Sequence, residues 1–465
     1  MDLYNPLILL PVLTLAVMLY YVLPKRWQQP FLLLFSLFLV YSLSPQGMVV
    51  LLLLAGINWG CGLYLAKTAN KTILRTITII LNLAVFALPR LLAFGRSSAP
   101  AALDFLLPVG LAFITLQNIG YLLDVSRSII PAETSFWKYL LYLLFFPKLN
   151  AGPIEPARRF LPQLSTPKEY DPHAIQRGIL QICMGLFKKL VVADRLALIV
   201  DAVFDQPGTY HGLTVLTAIA FYSFQIYFDF SGYTDIALGI ARMFGYDLSP
   251  NFKKPFLAEN INEFWNRWHI TFTGWLREYI FFPLRRTLLR KRASSGQFLA
   301  LFIPPLATML ASGLWHGFQP TYLVWGLYHG LLLYANTAAG SKKKRSSPTH
   351  SPWPGRMLTF ALVSFGFLFF RSASLADAGI LLQSIFVKST TYHDLLLNIL
   401  PLDLILSFMA IILIMGFETY LHDRQQSWSD LSFPVHWALV LMLLLAISIV
   451  GVYQPINTEF IYAAF

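Results

Sequence analysis

Between Phe224 and His329 the chain is apolar and aromatic enough to lie in a bilayer, yet it carries Asp229, Asp235, Arg242, Glu263, Arg267, His269, Arg277, Glu278, His316 and His329. An ionisable group at membrane depth costs roughly 2.5–3.5 kcal/mol on insertion scales. Several in one stretch therefore require either mutual pairing that locks helices together or a polar chamber that uses them. The rest of the chain has the same texture: of 465 residues, 56% are hydrophobic and 12% charged, and the mean hydropathy is +0.59. Such values exclude an ordinary soluble domain. The formal charge of +12 then marks cytoplasmic loops against anionic lipid, with no nucleic-acid partner implied. Cys61 and Cys183 stand alone in apolar runs, so neither a disulfide framework nor a paired redox site is expected, and no metal-ligand spacing occurs.

The expected architecture is all-α and polytopic, with roughly ten to twelve membrane helices plus re-entrant segments around a central polar chamber. Pro6–Leu23 reads as a first spanning helix, and Lys25-Arg26 after it put its C-terminal end in the cytoplasm and the N-terminus outside. Further spans are expected at Phe31–Tyr41, Met48–Leu65 and Ile77–Leu92. Trp137–Pro147, about 11 residues, is too short to cross and ends in Lys148-Leu-Asn-Ala-Gly-Pro153, the pattern of a re-entrant segment. Two spans are expected within Leu213–Phe244, and a span broken at Pro304-Pro305 within Phe298–His316. Asn260–Leu284 reads as one amphipathic helix: Trp265, Trp268, His269, Phe272, Trp275 and Leu276 share a face, while Glu263 and Arg267 pair elsewhere. Ser341-Lys-Lys-Lys-Arg345 is a cytoplasmic linker, and Arg356–Phe370, Leu400–Tyr420 and Val435–Val452 are the last spans. The chain divides into N-terminal membrane helices (1–100), a core bearing the two histidines (101–375), and C-terminal helices with an aromatic tail (376–465).

The chemistry that suits such a chamber is acyl transfer from a thioester to an alcohol. A neutral hydroxyl is a weak nucleophile and needs a base beside it, donors for the developing oxyanion, and exclusion of competing water. A buried neutral imidazole can be that base. His316 fits, flanked by Trp315 and by Gly317, which leaves room for a substrate. Its competing reading is a hydrogen-bonded structural histidine. His329 reads as polar glue between helices, and Asp229, Asp235 and Arg242 as structural, with Asp235 and Arg242 placed to share a helix face.

Six blocks then carry a resemblance: Leu314-Trp-His316-Gly317, Glu263-Phe-Trp-Asn-Arg-Trp-His269-Ile, Phe230-Ser-Gly-Tyr-Thr-Asp235, Ala151-Gly-Pro-Ile154, Gly185-Leu-Phe-Lys-Lys189 and Phe369-Phe-Arg371. In these blocks, and in their order along the chain, the sequence resembles the membrane-bound O-acyltransferases, and most of all their bacterial polysaccharide-modifying branch. The departures are Asn266 and Lys148, where the family often has Arg and Gln, and a tail ending Phe460-Ile-Tyr-Ala-Ala-Phe465.

The resemblance implies that His316 is the catalytic histidine and His269 the second functional position. Trp315, Trp268, Asp235 and Asn266 would line the chamber. Tyr462 would hold the acyl group briefly or dock a partner, with a membrane anchor as the competing reading. No bound cofactor and no metal are expected; acetyl-CoA is the expected donor substrate, or an acyl carrier protein in its place. The expected partners are the bilayer, an extracytoplasmic acyltransferase and a polysaccharide acceptor, with the protein in the cytoplasmic (inner) membrane. D-alanyl transfer to teichoic acid is the second reading. A transporter whose buried charges line its path is the rival from another class; it calls for repeated halves, and the sequence has no repeat.

Overall fold

The computed structural model describes residues 6–68, 70–93, 108, 110–290, 294–340, 351–387, 401–423 and 432–452, and among them every regular element is a helix. Six of the helices are long and apolar enough to cross a membrane: Pro45–Lys67, Thr72–Leu92, Leu213–Met243, Gly296–His316, Trp353–Arg371 and Phe433–Val450. The protein is thus an all-α, polytopic membrane protein. The Ser341–Arg345 linker and the aromatic tail with Tyr462 lie outside the described residues.

The chain packs as two compact units. The first takes the residues up to Ile182 together with Tyr233–Pro250. Its helices Pro6–Val22, Gln28–Leu43, Pro45–Lys67 and Thr72–Ala93 follow the expected spans, and Leu111–Ser126 comes after them. Three of these are tied by an asparagine ladder. Asn58 and Asn82 exchange amide hydrogen bonds at 3.1 and 2.9 Å, Asn118 donates to Asn82 at 3.3 Å, and the Tyr139 hydroxyl donates to Asn118 at 2.6 Å. In hydrocarbon, where apolar side chains give helices no solvent-driven reason to associate, such amide pairs supply it. The segment expected to be too short to cross is Phe136–Leu144, a helix of 9 residues that stops at Phe145. The chain then turns back through Phe146–Lys148, and the Lys148 ammonium, 1% exposed, is held by Gln117 and the ring of Tyr142 at 4.8 Å.

The second unit holds Cys183–Gly232 and the described residues from Asn251 onward. Three sequence expectations are corrected here. First, Leu213–Met243 is a single helix of 31 residues where two spans were expected. At 1.5 Å per residue it is about 46 Å long. No proline interrupts it, and at Gly232 the absent Cβ lets the helix approach Gly185, whose carbonyl oxygen lies 2.8 Å from where a Cβ would sit. Second, Pro304 and Pro305 do not break Ser294–His316, which is continuous through both. Each proline costs one backbone bond, a loss that tightly packed neighbours make tolerable in membrane helices.

That neighbour is Pro320–Gly340, packed against it through Gly313, Gly326 and Gly330. A Cβ on Gly326 would lie 2.5 Å from the Met309 carbonyl oxygen, and one on Gly313 would lie 2.4 Å from that of Tyr322. Small residues are what allow two backbones this close. We expect Gly326→Leu to force the pair apart and to destabilise the protein by at least about 1–3 kcal/mol, the usual cost of overpacking. The check is thermal unfolding in detergent; an unchanged midpoint would mean the helices do not meet as described.

The third correction concerns Asn260–Leu284. The expected amphipathic helix is broken at Trp268 and His269 into Ile261–Arg267 and Ile270–Leu276, and a π-helical turn over Arg277–Phe281 follows. Trp268 is extended and His269 is left-handed, with φ 41° and ψ 56°. The break is filled by another segment. Lys253 N–H donates to the Arg267 carbonyl at 3.0 Å, Ile270 N–H donates to the Asn251 carbonyl at 2.8 Å, and the Thr271 hydroxyl donates to Asn251 Oδ1 at 2.6 Å. Backbone groups that a continuous helix would satisfy are thus satisfied by a strut, with Asn251 fully buried at its centre. The expected Glu263–Arg267 ion pair is present.

Candidate active site

His316 ends the helix Ser294–His316 and is buried among rings. Trp315, its neighbour in the chain, lies 4.8 Å away between centroids, Phe370 from Trp353–Arg371 lies 4.9 Å away, and Trp325 from Pro320–Gly340 lies 5.5 Å away. All three meet it edge to face, at interplanar angles of 75°, 79° and 90°. Phe272 at 6.1 Å and Tyr322 at 6.2 Å are further ring neighbours. Tyr322 lies over Gly317: its ring carbons are 2.8 and 2.9 Å from where a Cβ would stand, so this glycine is required for the ring to close down.

His269 belongs to the same cluster. Its ring is 5.0 Å from Phe272 and 6.2 Å from Trp315, so these two rings face both histidines. Phe230 covers its other side at 4.7 Å, almost perpendicular. The helix break explains this placement. On a continuous helix the imidazole would lie in line with Trp265 and Phe272; the left-handed turn at His269 instead aims it by the backbone itself. Non-glycine residues adopt this conformation uncommonly; Ser128 and Lys254 are the other two among the described residues, and His269 is the one in the aromatic cluster.

The third histidine joins by way of Trp325. His329 is fully buried, 5.3 Å from Trp325 and 5.2 Å from Trp265, the latter at 90°. Among the described residues, neither of its ring nitrogens has a hydrogen-bond partner. A Cβ on Gly366 would lie 2.5 Å from His329 Nε2, so this imidazole also wedges the helix Trp353–Arg371 against its neighbour. His329 was expected to be polar glue between helices; it packs between them, but through ring contacts and without a hydrogen bond.

The remaining expected site residues separate. Trp315 is part of the cluster. Trp268 is a core side chain, stacked on Phe264 at 5.4 Å and packed on Phe252 and Phe367 at 5.1 and 5.3 Å. Asn266 is exposed, accepts a hydrogen bond from Arg277 at 2.7 Å and lines the cleft described below. Asp235 belongs to the first unit, where it accepts from the Gln181 amide at 3.2 Å while Arg242 donates to the same side chain at 3.0 Å. The shared helix face expected for Asp235 and Arg242 is therefore present.

Sequence reasoning placed Phe272 with His269 but missed Phe370, Trp325 and Tyr322 as parts of the cluster. The signal for Phe370 was there in Phe369-Phe-Arg371, since Arg371 fixes that helix end by hydrogen bonds to Asp201 at 2.8 Å and Asp205 at 2.9 Å. Beside the cluster, a cleft of about 340 Å3 is lined by Trp265, Asn262, Arg277, Arg285, Pro305 and Leu333 among others, apolar inside with two arginines. Among the described residues no group of His, Cys, Asp and Glu is arranged to hold a metal ion.

Comparison with known proteins adds a family. The sequence profile of the membrane-bound O-acyltransferases matches residues 7–376. The "Probable alginate O-acetylase AlgI" of Pseudomonas syringae pv. tomato is 33% identical over 335 residues, 70% of this chain and 62% of that protein. The peptidoglycan O-acetyltransferase of Helicobacter pylori is 32% identical over 302 residues, 59% of this chain and 56% of that protein. The teichoic acid D-alanyltransferase of Bacillus subtilis is 28% identical over 271 residues, 56% of this chain and 68% of that protein. The matches thus span between 53% and 62% of the first three relatives, all of them alginate O-acetylases by name.

Proposed function

The chain belongs to the membrane-bound O-acyltransferase family, and from that premise we propose that it transfers an acetyl group from a thioester to a hydroxyl of a cell-envelope or secreted polysaccharide. The observation that carries the reading is the pair of buried histidines, His316 and His269, which share Phe272 and Trp315 as neighbours. His316 takes the proton of the acceptor hydroxyl as the oxygen attacks the thioester carbonyl. The C–S bond breaks, the C–O bond forms, and the proton passes to the departing thiolate. The imidazolium formed on the way is surrounded by aromatic rings in edge-to-face contact, and aromatic faces attract a desolvated cation. The same rings keep out the water that would otherwise hydrolyse the thioester.

His269, set by its backbone, sits on the acceptor side of the pair. The cleft beside Trp265 is the approach for the donor, acetyl-CoA from the cytoplasm, whose phosphates Arg277 and Arg285 would meet. The acceptor side faces outward across the cytoplasmic membrane, where a partner acyltransferase completes delivery to polymer.

The reading is tested by incubating purified protein in proteoliposomes with labelled acetyl-CoA and a panel of alginate, peptidoglycan fragments and teichoic acid. Label is expected in a polysaccharide without any added carrier protein. The likeness to the B. subtilis D-alanyltransferase supplies the second reading. Inertness towards acetyl-CoA, with D-alanine transferred only from a charged carrier protein, would establish that reading and remove the first.

A further inference from the structure

We propose that Phe370 sets the size of the acyl group, restricting transfer to chains as short as acetyl. The inference rests on the acyltransferase reading of His316 and adds to it a specificity-determining residue.

A carbonyl carbon under attack must come within about 3–3.5 Å of the oxygen that His316 deprotonates. The acyl chain therefore begins beside the imidazole, and whatever follows the carbonyl must find room there. On the side bounded by Trp325 and Phe370 there is none to spare. The centroid distances from His316, 5.5 and 4.9 Å with near-perpendicular planes, are those of rings already in edge-to-face contact. Phe370 closes this wall because it touches its other members: Tyr322 at 5.1 Å, Trp325 at 5.2 Å and Phe367 at 6.3 Å. It is 5% exposed, and its helix end is clamped by Arg371 on Asp201 and Asp205, so it does not swing aside freely.

A methyl group fits against such a wall. Each further methylene has to displace a ring in a close-packed interior. Trp315 lies on the helix that carries His316, and Tyr322 is seated on Gly317. Phe370 comes from a separate helix, so its removal opens one continuous space among Tyr322, Trp325 and Phe367 without disturbing the segment that carries His316.

The experiment compares acetyl-CoA with butyryl-CoA in proteoliposomes, using the acceptor labelled in the assay above, for wild type, Phe370→Ala and Phe370→Leu. One methylene in a tight pocket discriminates by about 10–200-fold. Wild type is therefore expected to prefer acetyl by at least about 100-fold in kcat/KM, two methylenes being at stake. Phe370→Ala should bring the two donors within about tenfold, through an absolute rise in butyryl transfer that loosened packing alone would not produce. Phe370→Leu, which keeps a large apolar side chain and is the safer variant to fold, should fall between. Wild type that uses both donors equally, or folded variants with no gain on butyryl-CoA, would overturn the proposal. A wild type inert with both donors would sink the acetyltransferase reading itself, and the proposal with it.

Discussion

His316→Ala will lower acyl transfer to polysaccharide by about 10²–10⁴-fold, the usual loss when a general base is removed. The protein should still accumulate and melt as a folded species, because His316 sits at the end of its helix and its five ring neighbours pack on one another as well as on it. The measurement is label transferred from acetyl-CoA by purified protein, alongside thermal unfolding in the same detergent. Near-wild-type turnover by a folded variant would remove His316 from the mechanism. A variant that failed to fold would be replaced by His316→Gln, which keeps a polar side chain of similar reach but cannot take the proton.

Lys189→Met should have the largest effect on stability. Lys189 Nζ lies 2.9 Å from Asp194 and 2.8 Å from Asp229, with Lys189 5% and Asp229 1% exposed. It stands in the π-helical turn Lys188–Ala193, where an extra residue in the helix lets one cation meet two carboxylates. Removing the cation leaves those carboxylates facing each other in an apolar interior. Breaking a buried pair in this way costs about 3–5 kcal/mol. The further change Asp229→Leu in the same chain should recover part of the loss, since an apolar pair replaces the remaining like charges. The check is the unfolding midpoint of the single and double variants. A single variant as stable as wild type would show that the charges are not buried together. Asp229 precedes Phe230, whose ring covers His269, so the pair also fixes one wall of the site.

Much of this was legible in the chain, and for definite reasons. Spanning helices announce themselves because the bilayer sets both their length and their polarity. The helices Pro6–Val22 and Phe433–Val450 fall where their apolar runs do. The short Phe136–Leu144 helix was readable from its length and from Pro147 after it. What failed was the reading of breaks. Proline was expected to interrupt the His316 helix, and its effect was offset by glycine-mediated packing against a partner more than ten residues away in sequence. The run at Asn260–Leu284 has flawless helical periodicity, and its break is dictated by Asn251, which no local pattern contains. His316 and His269 could be nominated singly. That Phe272 and Trp315 bring them into one cluster, and that Phe370 walls it, depends on contacts between helices far apart in the chain.

The left-handed backbone at His269 also bears on how such a site changes under mutation. A residue with a Cβ normally pays to hold φ near 41°; glycine holds it at no steric cost, and asparagine, aspartate and histidine pay less than the rest. The substitutions that relax this position are therefore ones that discard the imidazole, while β-branched replacements worsen the strain. Random drift selected for stability alone would move the position toward glycine, and away from any base. A histidine retained there is being kept against the backbone's preference, and a homologue with glycine at the equivalent place would be expected to have gained stability and lost chemistry in the same step.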